Sequence, residues 1–586
     1  MPPPRSSVSW AGPTPDCTLP ILGIWDGHDA GAAIVDESEG RIVCAANEER
    51  FTRRKLEVGF PKGAIEACLS EAGLEAKDVE DVAVSTFDPA KTLTRVFPSL
   101  KESYYLLRRR KVRPGAFDSW KRAFKYELTT WHPNGLTRRL SEAALSEELS
   151  RVGLEKARVY WTHHHMAHAA TAAYTSGFVS ALVLTLDGVG DGLSGTISTL
   201  AEGKLTLLSA IGARDSFGIF YEIVTRLLNM RELEDEGKVM ALASYGYAPP
   251  DGRNPLMDLF EVEGLTVTCR LPPSGLSRFL ARELAMMPSE QFAFLAQDTL
   301  ETKVVELVRN ALQTTGMRRI AYAGGVASNI QVNRKLRSLP ECESIFVFPH
   351  MGDGGLALGA ALARAVERKG AKSYPLGDLR LGPSLRPGEV EAALRDSGLR
   401  FEPVEDPAAA AARRIAEGAV VFWFQGRMEF GPRALGGRSI LARPDSESVR
   451  DRLNLKLKRR VWYQPFCPSI LDEEAERLLE GGETKNRFMT MAYRVRTEGR
   501  ELLKGVLGRD GTCRPQMVDK SYGIYHRLLA STRKAIGVGA LLNTSFNLHG
   551  EPLVATPAQA IDCFLRSGAD VLVMGDFLME PPGVSS

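Results

Sequence analysis

Ile320-Ala321-Tyr322-Ala323-Gly324-Gly325-Val326-Ala327-Ser328-Asn329 is the stretch on which the fold turns. Four residues of strand type run into a Gly-Gly turn, and Val326 opens a helical pattern. Glycines at a strand-to-helix turn let the backbone approach a ligand closely and expose the first helix amides to an anionic or polar group. Alone, such a turn is a weak signal; it gains weight from two earlier turns of related design. Residues 21–25 form an apolar run into Asp26-Gly27-His28, and runs at 30–35 and 41–46 follow as an antiparallel meander. Residues 181–186 lead into Asp187-Gly188-Val189-Gly190-Asp191-Gly192, followed by 195–198 and a third strand near 205–208. The two Asp-Gly turns stand 161 residues apart in equivalent places, which predicts an internal duplication. Residues 345–348 then end at Pro349-His350-Met351-Gly352-Asp353-Gly354-Gly355, before a small-residue helix over 356–363. Together the turns predict an α/β nucleotide-binding fold.

The rest of the chain sets bounds. A length of 586 residues points to two to four domains, and 44% hydrophobic with 25% charged residues is a globular mix. A net charge of +2 argues against a strongly polyanionic partner. The eight cysteines (17, 44, 68, 269, 342, 467, 513, 563) stand at least 24 residues apart, which excludes a C-x-x-C pair and fits reduced thiols. Residues 1–19 are expected to be a disordered start without a secretory apolar core. No stretch reaches the length of a membrane span, and a cytoplasmic location is expected. An insertion at 101–139 carries Arg108-Arg109-Arg110-Lys111, Lys121, Arg122 and Arg138-Arg139 among Tyr104, Tyr105, Trp120, Phe124 and Trp131. That composition could grip nucleic acid. With so small a net charge, the expectation is instead helices whose aromatic faces pack on the domain and whose charges stay in water.

Two groups of residues carry chemistry. His163-His164-His165-Met166-Ala167-His168 places His164 and His168 at i and i+4, on one side of a helix, where two imidazoles can chelate one ion or simply be structural. Asp187 and Asp353, both at strand-to-turn junctions, would complete an N2O2 set suited to Fe(II), Mn(II) or Zn(II). The second group lies in a further α/β unit, expected from residue 408 after a Pro/Gly-rich linker at 373–407, with strands at 419–424, 492–495, 538–543 and 571–574. There the apolar run 539–544 ends in Ser545-Phe546-Asn547. Lys458 and Arg460, at i and i+2, would point the same way from an extended segment and neutralise a phosphate or carboxylate.

The ordered motifs then show a resemblance. Gly27-His28-Asp29, Asn47-Glu48-Glu49-Arg50-Phe51, the histidine motif, Glu236-Gly237-Lys238-Val239-Met240-Ala241-Leu242-Ala243, Ala323-Gly324-Gly325-Val326-Ala327, Asp353-Gly354-Gly355, Gln425-Gly426-Arg427-Met428-Glu429-Phe430-Gly431-Pro432-Arg433-Ala434-Leu435-Gly436, Asp510-Gly511-Thr512-Cys513-Arg514-Pro515-Gln516 and Asn543-Thr544-Ser545-Phe546-Asn547 cover most of the chain. In these it resembles the O-carbamoyltransferases of antibiotic and nodulation-factor biosynthesis. The resemblance implies a duplicated actin/Hsp70-like (ASKHA) domain over 20–372 and a YrdC-like α/β domain over 408–586. It implies that the second makes carbamoyl adenylate from ATP, with Mg2+, and carbamoyl phosphate, using Lys458, Arg460, Ser545 and Asn547. The first would pass the carbamoyl group to a hydroxyl of a small-molecule natural product, an antibiotic or a sugar. Fe(II) or another divalent transition metal would sit there on His164, His168, Asp187 and Asp353. His28 is the candidate base or hydrogen-bonding group at the acceptor hydroxyl, and a plain turn histidine is the alternative. Lys55, Glu236, Lys238, Gly324, Gly325, Asn329, Arg427, Arg433, Arg438 and Arg514 are expected to contact nucleotide or substrate.

Three positions depart from the family pattern. Val461 replaces an acidic residue after K-x-R, Gln464 replaces the arginine of R-P-F, and Gly508 replaces a histidine. Arg433, Arg438 or Arg514 would compensate for the lost arginine. The competing readings are a sugar or acid kinase, which predicts ADP, a tRNA-threonylcarbamoylating enzyme, which the near-neutral charge disfavours, and a scaffold with decayed sites. No membrane or nucleic-acid partner is expected, monomer and homodimer stay open, and acceptor specificity is expected from 101–139 and 247–290.

Overall fold

The computed structural model describes residues 20–112, 118–370, 373–483 and 485–581, with backbone alone over 118–123. The expected tail at 1–19 and the side chains of Trp120, Lys121 and Arg122 lie outside the described residues. The chain opens with strands β1 (Ile21–Trp25), β2 (Gly31–Asp36), β3 (Arg41–Asn47), β4 (Asp81–Ser85) and β5 (Arg158–Thr162). A second set is β6 (Ala181–Gly190), β7 (Leu193–Ala201), β8 (Lys204–Gly212), β9 (Phe260–Glu263), β10 (Thr266–Cys269), β11 (Arg319–Ala323) and β12 (Ser344–Val347).

The duplication is written in the strand order. One sheet runs β3-β2-β1-β4-β5 and the other β8-β7-β6-β11-β12, while β9 and β10 form a separate hairpin. In each sheet the first strand pairs antiparallel with the second and parallel with the fourth. The central strands are buried on both faces, which is why they read as continuous apolar runs and not as alternation. The N-terminal unit is therefore the expected duplicated actin-like fold.

Small residues bring the two repeats together. Helices His164–Thr175 and Leu356–Lys369 pack on each other, and a Cβ on Gly359 would lie 2.1 Å from the Ala167 carbonyl oxygen. On its other side the second helix lies on β1, where a Cβ on Gly23 would meet the Ala357 carbonyl oxygen at 1.9 Å. This contact sets two histidines and Asp353 at one seam. At Gly324 the backbone is left-handed, φ 95°, and a Cβ would strike the Leu186 carbonyl. Val326 does not open an α-helix: Gly325–Ser328 is one 3-10 turn, and the helix Ile330–Arg337 begins after Asn329, whose side chain caps the Val332 amide.

The C-terminal unit is one mixed sheet. Its strands are β13 (Glu402–Pro403), β14 (Val421–Phe424), β15 (Arg438–Ala442), β16 (Cys467–Leu471), β19 (Gln516–Val518), β20 (Ala540–Ser545), β21 (Val571–Met574) and β22 (Phe577–Met579), in the order β13-β22-β21-β14-β15-β20-β16-β19; β17 (Tyr493–Arg494) and β18 (Thr512–Cys513) form a separate ribbon. Strands β15, β16 and β19 escaped the sequence reading: β15 and β16 carry Arg-Ser and Pro-Ser within them, and β19 is only three residues long. The stretch 373–407 is not bare linker: it holds the helix Glu389–Asp396 and edge strand β13, and Tyr374 and Leu379 are buried.

Arginines tie the two units. Arg50 reaches the Gly431 carbonyl, Arg53 those of Pro552 and Leu553, and Arg427 those of Val43, Leu381 and Gly382. No helix among the described residues is long and apolar enough to cross a membrane.

Candidate functional site

His164 opens the helix that follows β5, and His168 sits one turn on; Asp187 lies in β6 and Asp353 opens the 3-10 turn before Leu356–Lys369. One ligand atom of each lies within 4.8 Å of the others. His164 Nε2 stands 3.2 Å from Asp187 Oδ2 and 3.6 Å from Asp353 Oδ1, and His168 Nε2 stands 3.9 and 3.6 Å from the same atoms. His168 Nε2 is buried without a hydrogen-bond partner, so the four residues fit a cation at their centre. Burial disfavours the charged His164, but Asp353 and Asp187 outweigh it and raise its pKa to about 9. Asp187 Oδ1 accepts the Gly325 amide at 2.6 Å, which explains the tight turn at Gly324-Gly325. The other two histidines do different work. His165 bridges Thr185 Oγ1 and the Leu193 carbonyl, and His163 caps the helix.

Above this cluster opens a cavity of about 1000 Å³. His28, Glu236, Gly325 and Asn329 line it, as do segments of both the insertion and 247–290. His28 Nδ1 stands 3.2 Å from the Tyr105 hydroxyl and 3.4 Å from Asp353 Oδ2. Burial, outweighing Asp353, lowers its pKa to about 4, so its ring is neutral and can accept a proton. Glu236 is raised to about 8 by burial and by Glu222. The charges of the insertion stay in water only in part: Arg110, Lys111, Arg138 and Arg139 are exposed, whereas Arg108 and Arg109 turn inward. Arg108 pairs with Glu222 and Glu232, and Arg109 pairs with Glu234 at 2.5 Å, all with little exposure. The basic run is a clamp that fixes the insertion helix Pro98–Arg108 over the cavity, because buried carboxylates on 222–234 face it.

A second cavity of about 420 Å³ is lined by both units, and Asp29, Glu236, His350 and Arg433 line both cavities. Lys55, Lys238, Lys458, Arg460, Arg514, Ser545 and Asn547 line the second. The K-x-R segment is not extended. A π-helical turn, Leu453–Leu457, runs into Lys458 in helical conformation, and Arg459 is left-handed at φ 45°. Lys458 is buried, and its Nζ donates to the Ser545 carbonyl, to the Asn547 carbonyl at 2.8 Å and to Asn547 Oδ1 at 2.7 Å. Burial and Arg460 push this amine well below the lysine range, yet three accepting oxygens take the three N–H bonds of an ammonium. The lysine thus holds the S-x-N turn, while Arg433, Arg460 and Arg514 crowd the cavity. Burial, with Arg514 and Arg460 near, lowers Arg433 to about 9. Among the described residues no carboxylate pairs with any of the three.

Two expected ligand arginines lie elsewhere. Arg438 is fully buried, donates to the carbonyls of Gln425, Gly426 and Gly437, and stacks on Phe424; Arg427 is the staple between the units. Both lost their place because they follow a glycine-rich turn that bends them back onto its own carbonyls or across to the other unit. Of the departures, Gln464 and Gly508 line the second cavity. The sequence reading missed Asp29, His350 and Cys467. Desolvation and the neighbouring Glu49 and Asp353 raise Asp29, a half-buried residue, to about 8; His350 Nε2 stands 3.0 Å from Asn47 Oδ1; Cys467 Sγ accepts from Arg514 Nε and Nη2 at 3.1 and 3.0 Å. The H-x-x-D spacing of His350 and Asp353 was the available signal for one of them.

Comparison with known proteins agrees in both halves. Residues 20–362 match the family model described as carbamoyltransferase N-terminus and 412–581 the one described as carbamoyltransferase C-terminus. The chain is 34% identical over 569 residues to the nodulation protein NolNO of Sinorhizobium fredii, covering 94% of this chain and 79% of that protein. To the nodulation protein NolO of Bradyrhizobium diazoefficiens it is 37% identical over 433 residues, 71% of this chain and 78% of the relative. A crystal structure of T. kodakarensis HypF aligns at TM-score 0.36 and 14% identity, over 61% of this chain and 48% of that one. With both family models matched across nearly its whole length, the chain belongs to the carbamoyltransferase family and is a carbamoyl-transfer enzyme.

Proposed function

We propose that the protein is an ATP-dependent O-carbamoyltransferase that works as a two-site relay. In the C-terminal cavity, carbamoyl phosphate and water give carbamate and inorganic phosphate. A carbamate oxygen then attacks the α-phosphorus of ATP, pyrophosphate leaves, and carbamoyl adenylate results. Mg2+ accompanies the ATP. Arg433, Arg460 and Arg514 would bind the anionic groups, and Lys458 holds Ser545 and Asn547 as a rigid turn beside them. In the N-terminal cavity an acceptor hydroxyl attacks the carbamoyl carbon, AMP leaves, and the hydroxyl proton passes to His28 Nε2, whose Nδ1 faces Asp353 and Tyr105. The acceptor is a small hydroxylated natural product, an antibiotic or a sugar.

His164, His168, Asp187 and Asp353 would hold a divalent transition ion, Fe(II) among the candidates. Such an ion would supply Lewis-acid polarisation of the carbamoyl donor. The observation that carries the reading is the unpaired arginine cluster beside the Lys458–Ser545–Asn547 contact, in a cavity that shares its lining with the histidine–carboxylate site. Turnover of labelled ATP tests it. AMP and pyrophosphate are expected only when carbamoyl phosphate is present, and ADP formed without it would place the protein among the kinases.

A further inference from the structure

Three lysines line one wall of the large cavity: Lys91 on helix Pro89–Val96, Lys101 on Pro98–Arg108 and Lys125 on Asp118–Thr129. Lys91 pairs with Asp26 at 2.8 Å, but Asp26 also accepts from Arg95 at 2.8 and 2.9 Å. Lys101 is only 5% exposed and lies against Lys91, and among the described residues no carboxylate comes within ion-pair distance of it. The same holds for Lys125, whose Nζ rests 3.6 Å from the ring centre of Tyr104 and 4.5 Å from that of Tyr105. Lys91 lies 4.2 Å over Trp25. Arg95 and Lys91 therefore share one carboxylate with Lys101 close by, and Lys125 stands apart from it.

The other acids nearby are engaged. Asp88 caps its helix at the Lys91 amide, Glu57 faces Arg54 and Glu127 faces Arg214. Across the cavity, Glu222 and Glu232 are taken by Arg108. An aromatic face steadies a cation while leaving N–H bonds free for an anion, and a buried charge without a counter-ion is unfavourable until a ligand brings one. Burial already pulls the Lys101 and Lys125 amines below the lysine range, a cost that a bound anion would relieve.

We propose that Lys91, Lys101 and Lys125 form an anion subsite that receives a carboxylate, sulfate or phosphate group of the acceptor, so that the acceptor is an acidic hydroxylated molecule and not a polycationic aminosugar. This rests on the relay reading only in naming the ligand as the acceptor.

Calorimetric titration of the full chain with glucuronate, glucose and glucosamine, without ATP or carbamoyl phosphate, tests it. Glucuronate is expected to bind about tenfold or more tighter than the other two. Lys101→Met with Lys125→Met should erase that preference and leave AMP affinity unchanged. Lys125→Met alone, at a half-buried position, should weaken glucuronate about threefold. Glucosamine binding as tightly as glucuronate, a glucuronate preference that survives the double substitution, or no glucuronate binding up to about 20 mM would each overturn the subsite. An equal loss of AMP affinity would assign the lysines to the nucleotide and overturn it too. Failure of the relay itself would appear separately, as no pyrophosphate from the unsubstituted chain.

Discussion

The two cavities hold charge in opposite ways. The N-terminal site gathers two carboxylates and two imidazoles, with a buried His168 nitrogen that lacks a hydrogen-bond partner, whereas the second cavity gathers three arginines with which no carboxylate among the described residues forms an ion pair. The first set of residues could hold a cation, and the second would suit an anion. The N-terminal ligands come from the seam of a duplicated fold, where helix packing through Gly359 fixes their spacing. The C-terminal arginines come from turns of a mixed sheet, and a single buried lysine sets the geometry there. The proposed relay would use that opposition: the anionic donor would be assembled where the arginines are, and the carbamoyl group used where a metal and a base could meet it.

The sharpest way to break this comparison is to exchange the losses. Lys458→Ala should lower carbamoyl-dependent pyrophosphate release by about a hundredfold or more, since the Ser545-to-Asn547 turn loses its anchor, while metal content stays constant. Asp187→Ala should do the reverse, keeping pyrophosphate release and abolishing transfer to any acceptor. Equal loss of both half-reactions in two folded variants would end the division of labour.

Metal content gives the next largest effect. Protein purified without oxygen is expected to hold about one divalent transition ion per chain, and His164→Ala with His168→Ala should remove it. Full retention by the double variant, measured by elemental analysis, would make the cluster structural.

Arg427 sharpens the contrast between ligand and staple. Because it binds carbonyls across the two units, Arg427→Ala should cost about 1–3 kcal/mol in a denaturant titration and leave ATP and carbamoyl phosphate affinities unchanged. Weakened ATP binding at unchanged stability would restore it to the site.

The smallest expected effect is on stability against pH. In metal-free protein the His164 pKa is raised from 6.5 to about 9, so its stabilising contribution is fully present below pH 6.5 and is lost as pH rises through about 9. Melting temperature should fall over that window, and His164→Gln should flatten the fall.

Much of this was legible in order along the chain. Acidic glycine segments near the ends of buried strands hinted at the duplication, although Asp26-Gly27 follows β1 while Asp187-Gly188 lies in the irregular end of β6, and i, i+4 spacing on a helix fixed the direction of His164 and His168. What the sequence could not reveal depends on which distant groups meet. Whether an arginine serves a ligand or a backbone carbonyl is decided by the turn that carries it, so Arg427 and Arg438 read like Arg433 and Arg514 until the fold separates them. Arg108 and Arg109 read as part of a solvated face, since their acidic partners lie more than a hundred residues away on 222–234. Local patterning determined the strands, the turns and the ligand types. Only tertiary packing decided which charges are neutralised inside the protein and which are left for a ligand, because ion pairing acts through space and carries no mark in the linear sequence.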